Sequence, residues 1–164
     1  MSQPVPPPPG NPFADAGAGA PYAPATPPAP VRDNVGLGIV AAIVAALVAA
    51  GAYGAIGGAI EREIGYAAIG VGFLVGFAAA KVGGRNPALP VISAVLALGA
   101  VYLGQLVAIA VIFTKLGDLS FTEYFFNHFS DLTKVWKEAA DFMSYVFLAI
   151  GAVAAFAGAK KAND

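Results

Sequence analysis

Four long, mainly apolar runs dominate the chain after residue 34, and short polar segments separate them. The runs cover residues 35–59, 64–83, 88–114 and 139–159, and each has the roughly 20 residues that a helix needs to cross about 30 Å of hydrocarbon. The charged segment EREI and the segment GGRNPALP are expected to end helices. The pattern predicts an all-α polytopic membrane protein with a four-helix transmembrane domain over residues 35–164.

An amphipathic, aromatic helix is predicted between the third and fourth spans, over residues 120–137. Ser120 and Glu123 have the spacing of a capping box, so this helix is expected to begin near Phe121. At helical spacing its apolar face carries Phe121, Phe125, Phe129, Leu132 and Trp136. Two placements remain open for the aromatic residues: the membrane interface, or a cap packed across the end of the bundle.

Residues 1–34 differ from the rest of the chain, because 11 of its 13 prolines lie within the first 30 residues. The segment contains too few apolar side chains to offset the entropy lost on ordering, so we expect a disordered, proline-rich cytoplasmic tail. The tail has two possible roles: its polyproline II stretches dock a protein partner, or it serves as a spacer. No short apolar stretch with a basic flank precedes the first span, which is therefore expected to be an uncleaved anchor.

The glycines of residues 61–84 are spaced much like those of a dinucleotide-binding loop. That loop needs a preceding strand, whereas this segment is apolar and has apolar sequence on both sides. Small residues at helical spacing instead favour close packing of transmembrane helices, although a biased composition is the alternative. The predicted packing residues are Gly54, Gly58, Ala68, Gly72, Gly76, Ala80, Gly104, Ala108, Gly151 and Ala155.

Charge and composition argue against several function classes. A net charge of -1 with scattered basic residues gives no field that attracts nucleic acid, and the absence of cysteine removes thiolate chemistry. The spans contain few ionisable groups, so we expect no enzyme activity, no catalytic residue and no metal, cofactor or small-molecule ligand. His128, with Glu123 and Asp131 nearby, is interpreted as a surface or interfacial histidine rather than a metal ligand. Glu61 and Glu63 are interpreted as solvated loop carboxylates.

Gln105 is the clearest polar residue within the predicted hydrocarbon region. Its amide requires hydrogen-bond partners, and the expected ones are a backbone carbonyl or a hydroxyl group of Tyr102, Ser93 or Ser144. We interpret Gln105 as a structural contact between helices. The alternative is that it lines a narrow polar path.

The distribution of basic residues predicts the orientation of the chain. With four spans, both termini share one side of the membrane. The terminal side holds Arg32, Lys81, Arg85, Lys160 and Lys161, and the opposite side holds Arg62, Lys115, Lys134 and Lys137. Because basic residues are enriched on the cytoplasmic side, both termini are expected to be cytoplasmic.

The segment from Glu61 to Gly84, followed by PVISAVLALGAVYLGQLVAIA, resembles a pattern of small bacterial integral membrane proteins. Glu63, Gly65 and Tyr66 match its E-x-G-Y/W motif, and a G-x-G-x-x-V-G-like spacing and an apolar span follow. The resemblance covers about a third of the chain. It implies a location in the bacterial inner membrane and transfers no site residue.

We therefore predict a non-enzymatic scaffold or accessory subunit of a membrane complex. Its expected partners are the lipid bilayer and either another protein or a further copy of the chain. The alternative is a small oligomeric transporter or channel, since one tightly packed four-helix bundle leaves little room for a lumen.

Overall fold

The computed structural model describes residues 33–62 and 64–164, and these residues form helices without a β-strand. Within these residues, five α-helices follow one another: α1 (Val35–Ile60), α2 (Ala67–Gly83), α3 (Ala88–Leu116), α4 (Phe129–Ala139) and α5 (Phe142–Lys161). A π-helical turn, Glu123–Asn127, precedes α4. Residues 1–32 of the predicted tail lie outside the described residues.

Three of these helices, α1, α3 and α5, are long and apolar enough to cross a membrane. The remaining apolar helix of the bundle, α2, is shorter and has 17 residues. The prediction of an all-helical fold is confirmed for the described residues, and the three long apolar helices are compatible with a membrane-embedded protein. The length of α2 decides whether the number of spans is three or four.

The helix limits differ from the predicted spans by a few residues, and local hydrogen bonds explain the two shifted starts. Before α2, the N–H of Ala67 donates to the carbonyl of Ile64 at 2.9 Å, which forms a tight turn. Before α5, the Asp141 carboxylate accepts from the N–H of Ser144 at 2.9 Å, so the helix begins at Phe142 rather than at residue 139.

One end of the bundle holds the start of α1, the turn between α2 and α3, and the end of α5. The N–H of Asn34 donates to the carbonyl of Gly83 at 2.9 Å, and the Arg85 guanidinium donates to the carbonyl of Asn163 at 2.7 Å. The Asn86 side chain donates to the Asp33 carboxylate at 3.1 Å. Both ends of the described chain therefore lie on the same side of the bundle.

The helices α2 and α5 run parallel and touch along their backbones. A Cβ atom added to Gly72 would overlap the carbonyl group of Gly151, and one added to Gly76 would overlap the carbonyl group of Ala155. Further along the same seam, a Cβ atom on Gly158 would overlap the carbonyl oxygen of Phe73. The two backbones can approach this closely only because glycine has no side chain.

A second parallel seam joins α1 and α3. A Cβ atom on Gly54 would overlap the carbonyl oxygen of Gly104, and one on Gly58 would lie 2.8 Å from the carbonyl oxygen of Ala108. Nine of the ten predicted packing residues are buried, and Ala108 is partly buried. The tightest seams therefore join α1 to α3 and α2 to α5.

Large apolar side chains lie on the outside of the bundle, and small ones fill its interior. The interior consists largely of alanine, glycine and valine. Leu47, Val48, Val95 and Val153 are each at least 60% exposed. Such an apolar surface is unfavourable in water, whereas lipid chains solvate it at no comparable cost.

We expect Gly72→Ala to lower the stability of the folded bundle by about 1–3 kcal/mol, because the added methyl group overpacks the seam with α5. Gly70→Ala is the matched control, since a Cβ atom at Gly70 has no neighbour within 4 Å. Thermal unfolding in detergent measures both changes. Equal unfolding midpoints for Gly72→Ala and Gly70→Ala would contradict the close backbone contact between α2 and α5 at Gly72.

Candidate functional site

A cavity of about 180 Å³ opens at the end of the bundle opposite the described chain ends. Its wall comes from α1, α3, α4 and α5, and from the segment that links α1 to α2. Ile64, Ile109 and Ile112 contribute aliphatic surface. The polar part of the lining comprises Tyr53, Glu61, Arg62, Gln105, Trp136 and Ser144.

Gln105 and Trp136 meet at this cavity through a direct hydrogen bond. The indole Nε1–H of Trp136 donates to Oε1 of Gln105 at 2.6 Å, and only 7% of Gln105 is exposed. The Trp136 ring also lies edge-on to the ring of Tyr102, with centroids 4.8 Å apart. These contacts attach α4 to α3.

The sequence pattern does not identify Trp136 as a partner of Gln105. The two residues are 31 positions apart and lie on helices whose relative placement the sequence pattern leaves open. Two of the expected hydroxyl groups bond locally instead. Ser93 donates to the carbonyl of Leu89 at 2.7 Å, and Ser144 donates to the carboxylate of Asp141 at 3.1 Å.

A reciprocal pair of hydrogen bonds begins the aromatic segment. The N–H of Ser120 donates to the Glu123 carboxylate at 2.9 Å, and the N–H of Glu123 donates to the Ser120 hydroxyl at 3.4 Å. The bonds from Ser120 lower the pKa of Glu123 below its ordinary value. The chain becomes helical at Phe121.

The sequence pattern predicts one continuous helix over residues 120–137, but the structure shows an interrupted one. Residues 123–127 widen into the π-helical turn, and His128 leaves the helical conformation with φ of -116° and ψ of 27°. The helix α4 then begins at Phe129 and extends to Ala139. The interruption rotates the residues of α4 relative to those of the turn, an effect that a continuous helical pattern does not include.

The apolar face of this segment packs against the second half of α3. Leu132 is fully buried beside Leu106 and Ala110. Three of the four predicted interfacial residues, Phe121, Phe125 and Trp136, are partly buried against the same cluster. The fourth, Phe129, is 39% exposed and lies edge-on to Phe125.

Lys115 links the end of α1 to the end of α3, and it pairs with Glu61 of the cavity lining. Its ammonium group donates to the carbonyls of Gly58 and Ala59 at 3.1 and 2.7 Å, and it lies 3.2 Å from the Glu61 carboxylate. A cation at these terminal carbonyls is favourable because it offsets the helix dipole.

Glu61 ends α1 in the left-handed conformation, with φ of 54°. The N–H of the next residue, Arg62, donates back to the carbonyl of Gly57 at 3.2 Å, which completes the helix-ending turn. Glu63 lies outside the described residues, so the structure does not place the second carboxylate of the predicted loop pair.

His128 takes part in a small exposed group of charges. Its Nδ1 atom lies 3.3 Å from one oxygen of the Asp131 carboxylate, and the Lys134 ammonium donates to the other oxygen at 3.3 Å. The bonds from His128 and Lys134 lower the pKa of Asp131. No group of three side chains suited to a metal ion occurs within residues 33–62 and 64–164.

The cavity concentrates the buried polar groups of the bundle. Gln105, Ser144 and Ser93 are the buried polar side chains among the described residues, and the first two line the cavity. Every buried side-chain nitrogen and oxygen in the described part of the chain has a hydrogen-bond partner. The cavity is therefore suited to binding a group by apolar contact, and polar atoms lie at the rim and base of the cavity.

Trp136→Phe should lower the free energy of unfolding by about 1 kcal/mol, because it removes the donor to Gln105 and keeps an aromatic ring. A double-mutant cycle with Gln105→Leu, followed by thermal unfolding in detergent, measures the coupling. We expect an interaction energy of about 1 kcal/mol. Additive effects of the two substitutions would show that the hydrogen bond contributes nothing to stability.

Comparison with known proteins assigns no family to the chain. No protein-family model matches it, and no curated protein or solved structure is significantly similar to it. No residue role is therefore transferred from another protein. The function proposed below depends on the geometry of the bundle and on its sequence.

Proposed function

We propose that the chain is a four-span integral membrane protein that serves as a scaffold or accessory subunit of a membrane complex. The observation that carries this proposal is the arrangement of side chains in the bundle. Small residues form the seams, and the large apolar side chains face outward. A lipid environment stabilises both features, since close backbone contact holds the helices together and acyl chains solvate the exterior.

The helix α2 supplies the fourth span in this proposal. Its 17 residues reach about 26 Å, at the lower limit of helices that cross a bilayer. It packs along α5, which is itself long enough to cross a membrane. The turn that begins at Ile64 and leads into α2 extends this span toward the headgroup region.

The packing of the bundle favours a scaffold over a transporter. Backbone contact along both parallel seams fills the space between the paired helices. The cavity extends along α1 only from Tyr53 to Gly57 and along α3 only from Gln105 to Ile112, so it occupies one half of the bundle. An oligomeric transporter would need a polar path between copies of the chain.

We further propose that both termini are cytoplasmic and that the membrane is the bacterial inner membrane. The resemblance of residues 61–84 to small bacterial membrane proteins supports the location. The excess of basic residues on the terminal side supports the orientation. In this orientation the cavity and the aromatic segment face the periplasm.

Cysteine labelling tests the orientation, and the chain contains no native cysteine to interfere. In intact cells, Asn127→Cys should react with a membrane-impermeant thiol reagent, whereas Ala20→Cys should react only after the membrane is permeabilised. The reverse pattern would show that the termini are periplasmic.

Deletion of residues 2–30 tests the scaffold role of the proline-rich segment. If this segment recruits a partner, the deletion should leave membrane insertion and thermal stability unchanged and remove at least one protein that co-purifies with the full chain in mild detergent. A matched control replaces the segment with a Gly/Ser linker of equal length. An unchanged set of co-purifying proteins would exclude recruitment by the tail.

A further inference from the structure

We propose that the cavity binds one alkyl chain of an anionic amphiphile whose headgroup contacts Arg62. The ligand class includes free fatty acids and anionic phospholipids, which share a negative headgroup and an alkyl chain. The proposal rests on the membrane embedding proposed above, because such ligands reach the cavity from a bilayer.

The size and lining of the cavity fit part of an alkyl chain. A volume of about 180 Å³ slightly exceeds the roughly 150 Å³ of a protein cavity that accommodates benzene. Three isoleucine side chains contribute to its wall: Ile64, Ile109 and Ile112. Alkyl groups gain free energy by contact with such surfaces, whereas a strongly polar group would lose its hydration there.

Arg62 is the lining residue that can contact a negative headgroup. The Glu61 carboxylate and the Lys115 ammonium form an ion pair at 3.2 Å, so their charges offset each other. Arg62 forms no ion pair with any described residue. Its guanidinium is therefore the cation available to a carboxylate or phosphate.

The position of Arg62 matches the depth of lipid headgroups. It lies in the link between α1 and α2, directly after the end of a helix long enough to cross a membrane. A headgroup at this level leaves its alkyl chain pointing into the bilayer, in the direction in which the cavity extends toward Tyr53 and Gln105. Arginine at a membrane interface can keep its charge hydrated while its stem contacts apolar surface.

Trp136 provides a direct reporter of this site, because it is the single tryptophan of the chain and lines the cavity. Bromine atoms on an alkyl chain quench indole fluorescence at short range. The full chain, in nanodiscs of phosphatidylcholine, is titrated with dibromostearate, with dibrominated phosphatidylglycerol and with dibrominated phosphatidylcholine.

We expect saturable quenching by at least one of the two anionic probes, at a mole fraction about tenfold below that needed for dibrominated phosphatidylcholine. Quenching by dibromostearate alone identifies a free fatty acid as the ligand, and quenching by phosphatidylglycerol alone identifies a phospholipid. Equal quenching by all three probes, or no saturable quenching by either anionic probe, would overturn the proposal.

Single-residue variants distinguish binding in the cavity from general contact with lipid. Arg62→Gln should weaken the anionic probe about tenfold, and Arg62→Lys should retain most of the preference because it keeps the charge. Ile112→Phe should fill the cavity and reduce quenching, whereas Val95→Phe, on the exposed surface of the same helix, should not. An unchanged probe preference in Arg62→Gln would exclude the assigned headgroup contact.

Extraction of membranes with alkaline carbonate distinguishes a failure of the ligand proposal from a failure of the proposed membrane embedding. Retention of each variant in the membrane pellet shows that embedding is intact, so a loss of quenching then reports on the cavity. Release of the wild-type chain from the pellet would overturn the membrane embedding itself, and the ligand proposal with it.

Discussion

Direct contact between the backbones of α2 and α5 at Gly72 and Gly151 is the constraint on which the rest of the bundle depends. A side chain at Gly72 would overlap the carbonyl group of Gly151, so the two helices would have to move apart and the close packing of the interior would be lost. Helices in a bilayer gain little from hydrophobic burial, so dispersion between closely spaced backbones must stabilise their association. The small interior and the large exterior side chains follow from that requirement.

Polar contacts at the two ends of the bundle complement these apolar seams. At the terminal end, Arg85 and Asn86 bind the last and first turns of the described chain. At the opposite end, Lys115 binds the terminal carbonyls of α1. These contacts lie at the ends of the helices. Within the bundle, the Ser93 hydroxyl donates to the carbonyl of Leu89, and the Gln105 amide oxygen accepts from the Trp136 indole. Their placement agrees with the high cost of isolated charge in hydrocarbon.

Much of this architecture is predictable from the sequence, because local patterns determine it. Apolar run length predicts the helices to within a few residues, and the Ser120 and Glu123 pair predicts the start of the aromatic segment. The small residues indicate which faces are packed. They do not indicate which helix each face meets, since any two small-residue faces are compatible. The parallel pairing of α1 with α3 and of α2 with α5 therefore appears only in the three-dimensional structure.

The candidate site was less predictable, because it depends on contacts between distant residues. The cavity forms where four helices meet, and the bond from Trp136 to Gln105 spans 31 positions. The departure from helical geometry at His128 has no strong local signal, since neither proline nor glycine occurs between Ser120 and Ala140. Packing against α3 determines these features, and a one-dimensional pattern does not encode it.

The two parallel seams give the bundle the form of an intramolecular dimer. The helices α1 and α2 form one hairpin, α3 and α5 form the other, and each helix meets its counterpart of the same direction across the seams. The first hairpin turns within a few residues, whereas the second contains the aromatic segment between its helices. That insertion breaks the approximate two-fold relation. It supplies Trp136 to only one of the two hairpins, so a fold built from two similar halves acquires an asymmetric cavity.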